Sequence, residues 1–160
     1  AMQIYWRSLA VPVLQDVEAL EMMVLTQTNQ LGTQIKVITQ SQLPAAEVLQ
    51  LDHQQGFDRL EFQEPLEITP ADGTGCLVFR FAGHETSYVE MVHPVDFTSA
   101  ILSVERTGCL LQRTAVDRSM EKGVIVRARL CAAFVPRSDD INRAAAVYQE
   151  FCRTEVPLTV

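Results

Sequence analysis

The chain has 160 residues, 48% of them hydrophobic and 21% charged, a globular composition long enough to bury a real core. Its net charge of −7 is unevenly spread: residues 1–75 carry 10 acidic against 3 basic side chains, whereas residues 76–160 carry 10 against 10. Without a basic stripe to release counterions from phosphate, no nucleic acid is expected as a partner. Nor is a membrane, because the longest apolar run, Leu20 to Leu25, is short and broken by Glu21.

The acidic half leaves room for a protein partner with a basic face. No secretory leader is visible, Ala1 before Met2 reads as a cloning remnant, and the expected location is cytoplasmic. Cys76, Cys109, Cys131 and Cys152 lie 33, 22 and 21 residues apart among apolar neighbours, with no C-x-x-C and no histidine at finger spacing. They read as small buried hydrophobes, and neither a metal nor a cofactor is expected.

Met2 to Val11 alternates large and polar residues before Pro12 and reads as a strand. Asp16 caps an expected helix over 17–29, where Val17, Leu20, Met23, Val24 and Leu31 recur at helical spacing before Gly32. Thr33 to Gln40 alternates as a strand expected inside a sheet, and Pro44 opens a second expected helix through Asp52. Leu60, Phe62, Leu66 and Ile68 give a half-buried strand, and the turn Pro70 to Gly75 is expected to join it as a hairpin to Cys76–Phe81. A second turn at 83–87 leads into a strand at Tyr88–Val92. Phe97, Ala100, Ile101 and Val104 fall at i, i+3, i+4 and i+7 behind Asp96, which predicts a third helix before Gly108.

Cys109 to Asp117, the turn 118–123, Val124 to Pro136 and 139–153 then read as strand, turn, strand and closing helix. That helix carries an apolar stripe of Ile141, Ala145, Tyr148 and Cys152, with Ala144, Val147 and Phe151 beside it. The expected fold class is therefore α+β: one globular domain over 1–160, a mainly antiparallel sheet with helices packed on one face and a C-terminal helix. Residues 3–40 and 88–116 look like versions of one strand–helix–strand unit. Strands at 88–92 and 109–116 with largely apolar edges suggest a homodimer.

Catalytic signatures are missing: no G-x-S-x-G elbow, dinucleotide fingerprint or phosphate loop occurs. Five residues remain as ligand-binding candidates. His84, Glu85 and His93 flank one strand and have ligand-like side chains. Arg127 and Arg129 share a strand face, opposite Val124, Val126, Ala128, Leu130 and Ala132, and with Arg113 and Arg80 could meet an anion or a partner's carboxylates.

The stretch Val104-Glu-Arg-Thr-Gly through Ala133-Phe-Val-Pro136, about a fifth of the chain, resembles the last strands of hotdog-fold thioesterases. The resemblance implies an acyl-CoA thioesterase-like enzyme, with Glu47 and Asp52 as the nearest carboxylates and a strand at 97–107. The chain departs from that family in lacking an acidic or Asn-bearing segment before a long central helix. From residue 44 the element order α-β-β-β-α-β-β-α is similar to small acidic secretion-chaperone-like domains that bind other proteins as dimers. The expected function is thus a non-enzymatic binding or assembly domain for a protein partner or small ligand, with the thioesterase as the alternative.

Overall fold

The computed structural model describes residues 1–155. Eleven strands form two sheets: β1 (Met2–Leu9), β2 (Glu18–Gln27), β3 (Thr33–Leu43), β4 (Ala45–Leu51), β5 (Phe57–Leu60), β6 (Leu66–Ile68), β7 (Leu77–Phe81), β8 (Thr86–Val92), β9 (Ser99–Glu105), β10 (Gly108–Met120) and β11 (Ile125–Pro136). The larger sheet runs β1-β2-β11-β8-β7-β4-β5 and the smaller β3-β10-β9-β6, and every pairing is antiparallel. One α-helix, α1 (Asp140–Arg153), follows β11 and packs across β11, β8 and β7.

This overturns the α+β expectation of helices packed on one face, because strands occupy all three helical segments before residue 139. Position explains the error. The middle of the larger sheet is covered by α1 on one face and by the smaller sheet on the other, so its strands are apolar on both sides and lose a clean alternation of two. In β2, Ala19 and Met23 are buried towards the helix side while Val24 and Thr26 are buried towards the smaller sheet. The same apolar residues also match a helical template. In β4, Ala45-Ala-Glu-Val-Leu-Gln-Leu51 is rich in helix formers, yet Leu49 and Leu51 pack under α1 and Val48 in the opposite core, so tertiary burial overrides local preference. In β9 the buried positions are Ala100 and Leu102, at a period of two, and Val104 is exposed. The strand–helix–strand units at 3–40 and 88–116 therefore have strands in place of their helices.

The chain crosses repeatedly between the layers. The turn Pro70 to Gly75 is not a hairpin turn, since β6 belongs to the smaller sheet and β7 to the larger. Likewise β10 and β11, read as strand, turn, strand, lie in different sheets. Between β3 and β4 the crossing is a single residue, Pro44, and Gly108 sits against that bend at φ 143°. A Cβ there would run into the Leu43 carbonyl and stand 2.7 Å from Pro44 Cα, so only glycine fits.

β3, expected inside a sheet and covered on both faces, is an edge strand paired only with β10, and the exposure of Gln34, Lys36, Gln40 and Gln42 leaves one of its faces open to solvent. Conversely β8 and β10 each have a neighbour on both sides, so neither offers the free edge on which a homodimer was expected. On α1 the buried line is Ala144, Val147, Tyr148 and Phe151, so of the expected stripe Ile141, Ala145, Tyr148 and Cys152 only Tyr148 is fully buried, and the residues expected beside it form the packed face. Among the described residues no helix is long and apolar enough to cross a membrane.

Candidate functional site

Seven strands face four, so the smaller sheet cannot cover the whole inner face of the larger one. The uncovered part is where β1, β2 and β11 run past β3. There the inward-pointing residues Trp6 and Phe134 stay 60% and 59% exposed, and Leu20 is also exposed. A hollow of about 230 Å³ opens between this ledge and β3, lined by Trp6, Leu20, Met22, Tyr88 and Leu130 on one side and Thr39 and Ser41 on the other, with Glu90 among them. A second, larger hollow of about 770 Å³ adjoins it along the ledge and shares Trp6, Leu20, Tyr88 and Ala132. Together they form one apolar cleft with three aromatic walls, Trp6, Tyr88 and Phe134.

Its polar end is built around Glu90 on β8. Ser41 Oγ donates to Glu90 Oε2 at 2.6 Å and Tyr88 Oη donates to the same oxygen at 3.0 Å. From β10, Arg113 Nε donates to Oε1 at 3.0 Å and a terminal nitrogen donates to the Glu90 backbone carbonyl at 3.1 Å. Arg113 is only 1% exposed, deep between the sheets, and the carboxylate is what makes its charge tolerable there. Two buried polar atoms in this group, Arg113 Nη1 and Thr39 Oγ1, have no partner among the described residues, and they belong to residues directly opposite one another in the β10–β3 ladder. Burial and the adjacent Glu90 push the Tyr88 hydroxyl far above the ordinary tyrosine range, so it remains a donor.

A second ionic group lies on the other face of the larger sheet. Glu21 on β2 receives Arg129 Nε on Oε1 at 2.6 Å and Arg7 Nε on Oε2 at 2.6 Å. The Arg129 guanidinium lies 4.9 Å over the Phe151 ring, and the His93 ring meets the same ring edge-on at 5.5 Å. A third pairing fixes the start of α1: Asp140 accepts two bonds from Arg80 at 2.8 Å and one from Ser87 at 2.6 Å. Burial raises its pKa, but these donors outweigh that and the net effect is to lower it.

Of the sequence candidates, the structure brings together His93 and Arg129, whose backbones also bond (His93 N to Arg129 O, 3.0 Å) and whose side chains clasp Phe151. It does not bring His84 and Glu85 to them. Those two sit in the exposed β7–β8 turn, at the far end of the seven-residue β8, roughly 20 Å of strand away at about 3.3 Å per residue. Arg127 is exposed while Arg129 is buried, because α1 covers the strand only at the latter. Arg113 and Arg80 lie in different sheets and pair with Glu90 and with Asp140 and Glu47.

Glu47, the carboxylate of the thioesterase resemblance, is held by Arg80 at 3.1 Å, and Asp52 accepts backbone N–H groups of Gln54 and Gly56 at 2.7 Å. The strand which that resemblance implies at 97–107 is present as β9, but the only α-helix among the described residues is C-terminal and lies outside the sheets. The cleft residues Trp6, Ser41, Tyr88 and Glu90 were missed because they come from three strands distant in sequence. The one available signal was a glutamate, Glu90, in an otherwise apolar strand. Among the described residues no group of three or more His, Cys, Asp or Glu side chains is placed to hold a metal.

No family model matches the chain, and no curated protein matches it. Among solved structures it is similar to an Escherichia coli K12 protein assigned as an aldose 1-epimerase, at 8% identity and a TM-score of 0.45. The match covers 84% of this chain and 65% of that one, so the chain spans less than two thirds of its neighbour.

Proposed function

We propose that this protein is a binding domain that holds a small amphipathic, hydroxyl-bearing ligand in the cleft between its sheets. The observation that carries the reading is the pairing of an exposed aromatic ledge with a polar end that is one partner short. Trp6, Leu20 and Phe134 offer apolar area that water contacts at a cost. At the inner end, Glu90 Oε1 has one donor and Thr39 Oγ1 has no partner among the described residues, with Arg113 Nη1 likewise unpartnered behind Glu90. A hydroxyl both donates and accepts, so one such group can donate to Glu90 and accept from Thr39, both of which line the cleft.

Binding is favoured over turnover because the buried carboxylates Glu21, Glu90 and Asp140 are each committed to arginine. A general base needs a carboxylate free to take a proton. Four thiols without disulfide partners fit a reducing compartment such as the cytoplasm.

Titration calorimetry with 2-naphthol and with 2-methylnaphthalene tests the reading. Both share the apolar body and only one carries a hydroxyl. The expected result is saturable binding of 2-naphthol at least tenfold tighter than of its methyl analogue, since a hydrogen bond to a charged group contributes about 1.5–3 kcal/mol. Equal affinities, or no heat with either, would remove it.

A further inference from the structure

The larger sheet ends at β1, and the outer side of that strand has no neighbour among the described residues. Its hydrogen-bonding phase can be read from one pair: Ala1 N donates to Gln27 O at 2.6 Å, and Gln27 N donates to Ala1 O at 2.9 Å. Such doubly bonded pairs recur at every second residue of an antiparallel ladder. Gln3, Tyr5, Arg7 and Leu9 therefore turn their backbone groups towards β2. Met2, Ile4, Trp6 and Ser8 turn theirs outward.

Edges of this kind template pairing unless something blunts them. The other three edges are blunted. β5 has four residues, including Asp58 and Arg59; β6 has three and follows Pro65; β3 carries Lys36 and a polar outer face. β1 has eight residues, no proline, no lysine and no acidic side chain, and Met2, Ile4, Tyr5 and Trp6 are exposed. Its single charge, Arg7, is already bound to Glu21.

We infer that β1 pairs antiparallel with β1 of a second copy, making a two-fold dimer with a continuous sheet across the interface. The strand is self-complementary. A perpendicular two-fold keeps each residue on its own sheet face, and the register with Tyr5 on the axis pairs the most outward-facing residues. That register sets Ile4 opposite Trp6, Met2 opposite Ser8 and Gln3 opposite Arg7, and no like charges meet. All four outward residues of each strand are then paired. Despite the net charge of −7 per chain, the contacting strands carry no acidic residue. The partner also completes the cleft. Trp6 forms its outer wall, and Ile4 of the second copy extends the ledge beyond it on the same face.

Light scattering and sedimentation velocity on the intact chain are expected to give twice its 17.9 kDa mass at micromolar concentration. Ile4→Pro removes an outward N–H and no β1–β2 bond, and Ile4→Lys adds a charge at an exposed position. Both should give monomers with the wild-type circular dichroism spectrum. If the proline variant loses that spectrum, the mass of the lysine variant decides. Tyr5→Cys places two thiols across the axis in a non-hydrogen-bonded pair, with Cα atoms about 4.5 Å apart and within disulfide reach. It should form a disulfide-linked dimer in air, and Gln3→Cys should not. A wild-type monomer, a dimer that survives Ile4→Lys, or cross-linking no stronger in Tyr5→Cys than in Gln3→Cys overturns the inference.

Discussion

Arg129 Nε stands 2.6 Å from Glu21 Oε1 in a pair of which neither side chain is more than 4% exposed. Arg7 closes the other carboxylate oxygen, so the glutamate balances two guanidinium groups. Glu21→Leu leaves Arg129 buried without a counter-ion, and the expected loss is about 3–5 kcal/mol in urea denaturation. The double change Glu21→Leu with Arg129→Met removes both buried charges and should cost less than Glu21→Leu alone. Additive losses would show that the pair is not coupled.

His93 should contribute to the fall of stability in mildly acid solution. Burial first, and the nearby Arg129 charge second, hold its pKa below the ordinary 6.5, against the pull of the Cys152 backbone, Asp96 and Glu21. The folded chain therefore binds fewer protons than the unfolded chain below about pH 6.5. Stability should fall as the pH drops from there towards the depressed value, and stop falling beneath it. Asp96, raised chiefly by burial, acts in the opposite sense in more acid solution, where its protonation relieves a penalty of the folded state. Melting temperatures of His93→Gln should be flatter than wild type between about pH 6.5 and pH 5. Identical slopes would place the pH dependence elsewhere.

β9 offers a direct test of strand against helix. Its helical reading buries Phe97, Ala100, Ile101 and Val104, whereas the strand buries Ala100 and Leu102 and exposes Val104. Leu102→Ala should cost about 2–5 kcal/mol by leaving a cavity between the sheets. Val104→Ser, at an exposed position, should stay within about 0.5 kcal/mol. Urea midpoints in the reverse order would restore the helix.

The same residues show how much could be read from sequence. β10, β11 and α1 were legible because they are long, with a charged turn at Glu121 to Gly123, three residues later than the expected start at Arg118, and a helix that has only one packed face. β2 and β4 were not, since burial from two sides, or a short run of helix-forming residues, erases the period that separates strand from helix, and β9 was not because its half-buried Ile101 beside Ala100 mimics a helical spacing. The sheet to which each strand belongs could not be read at all. Pro70 to Gly75 looks like a hairpin turn whether the next strand folds back beside β6 or crosses to the other layer. The candidate site suffered the same loss. Glu90 and Arg113 were visible as charged residues within strands, but their contact at 3.0 Å exists only because two sheets stack.

The cleft separates ligand affinity from stability in a way that a purely structural role for these residues does not. Trp6 is largely solvent-exposed and lies on the ledge, so Trp6→Ala removes a wall of the cleft while leaving the core intact. It should weaken 2-naphthol by tenfold or more, because truncating an aromatic wall forfeits about 1.5–3 kcal/mol of apolar contact, and shift the urea midpoint little. Glu90→Gln should behave differently. The amide still accepts one bond, but Arg113, 1% exposed, loses its counter-charge, and the fold should weaken by about 3 kcal/mol or more. Tyr88→Phe offers the middle case, deleting one donor to Glu90 at 3.0 Å while keeping the ring that lines the cleft. Its stability should fall by about 1 kcal/mol with 2-naphthol still bound. Calorimetry and urea denaturation on the three variants give both readouts. Unchanged 2-naphthol affinity in Trp6→Ala would show that the ledge is not where the ligand lies.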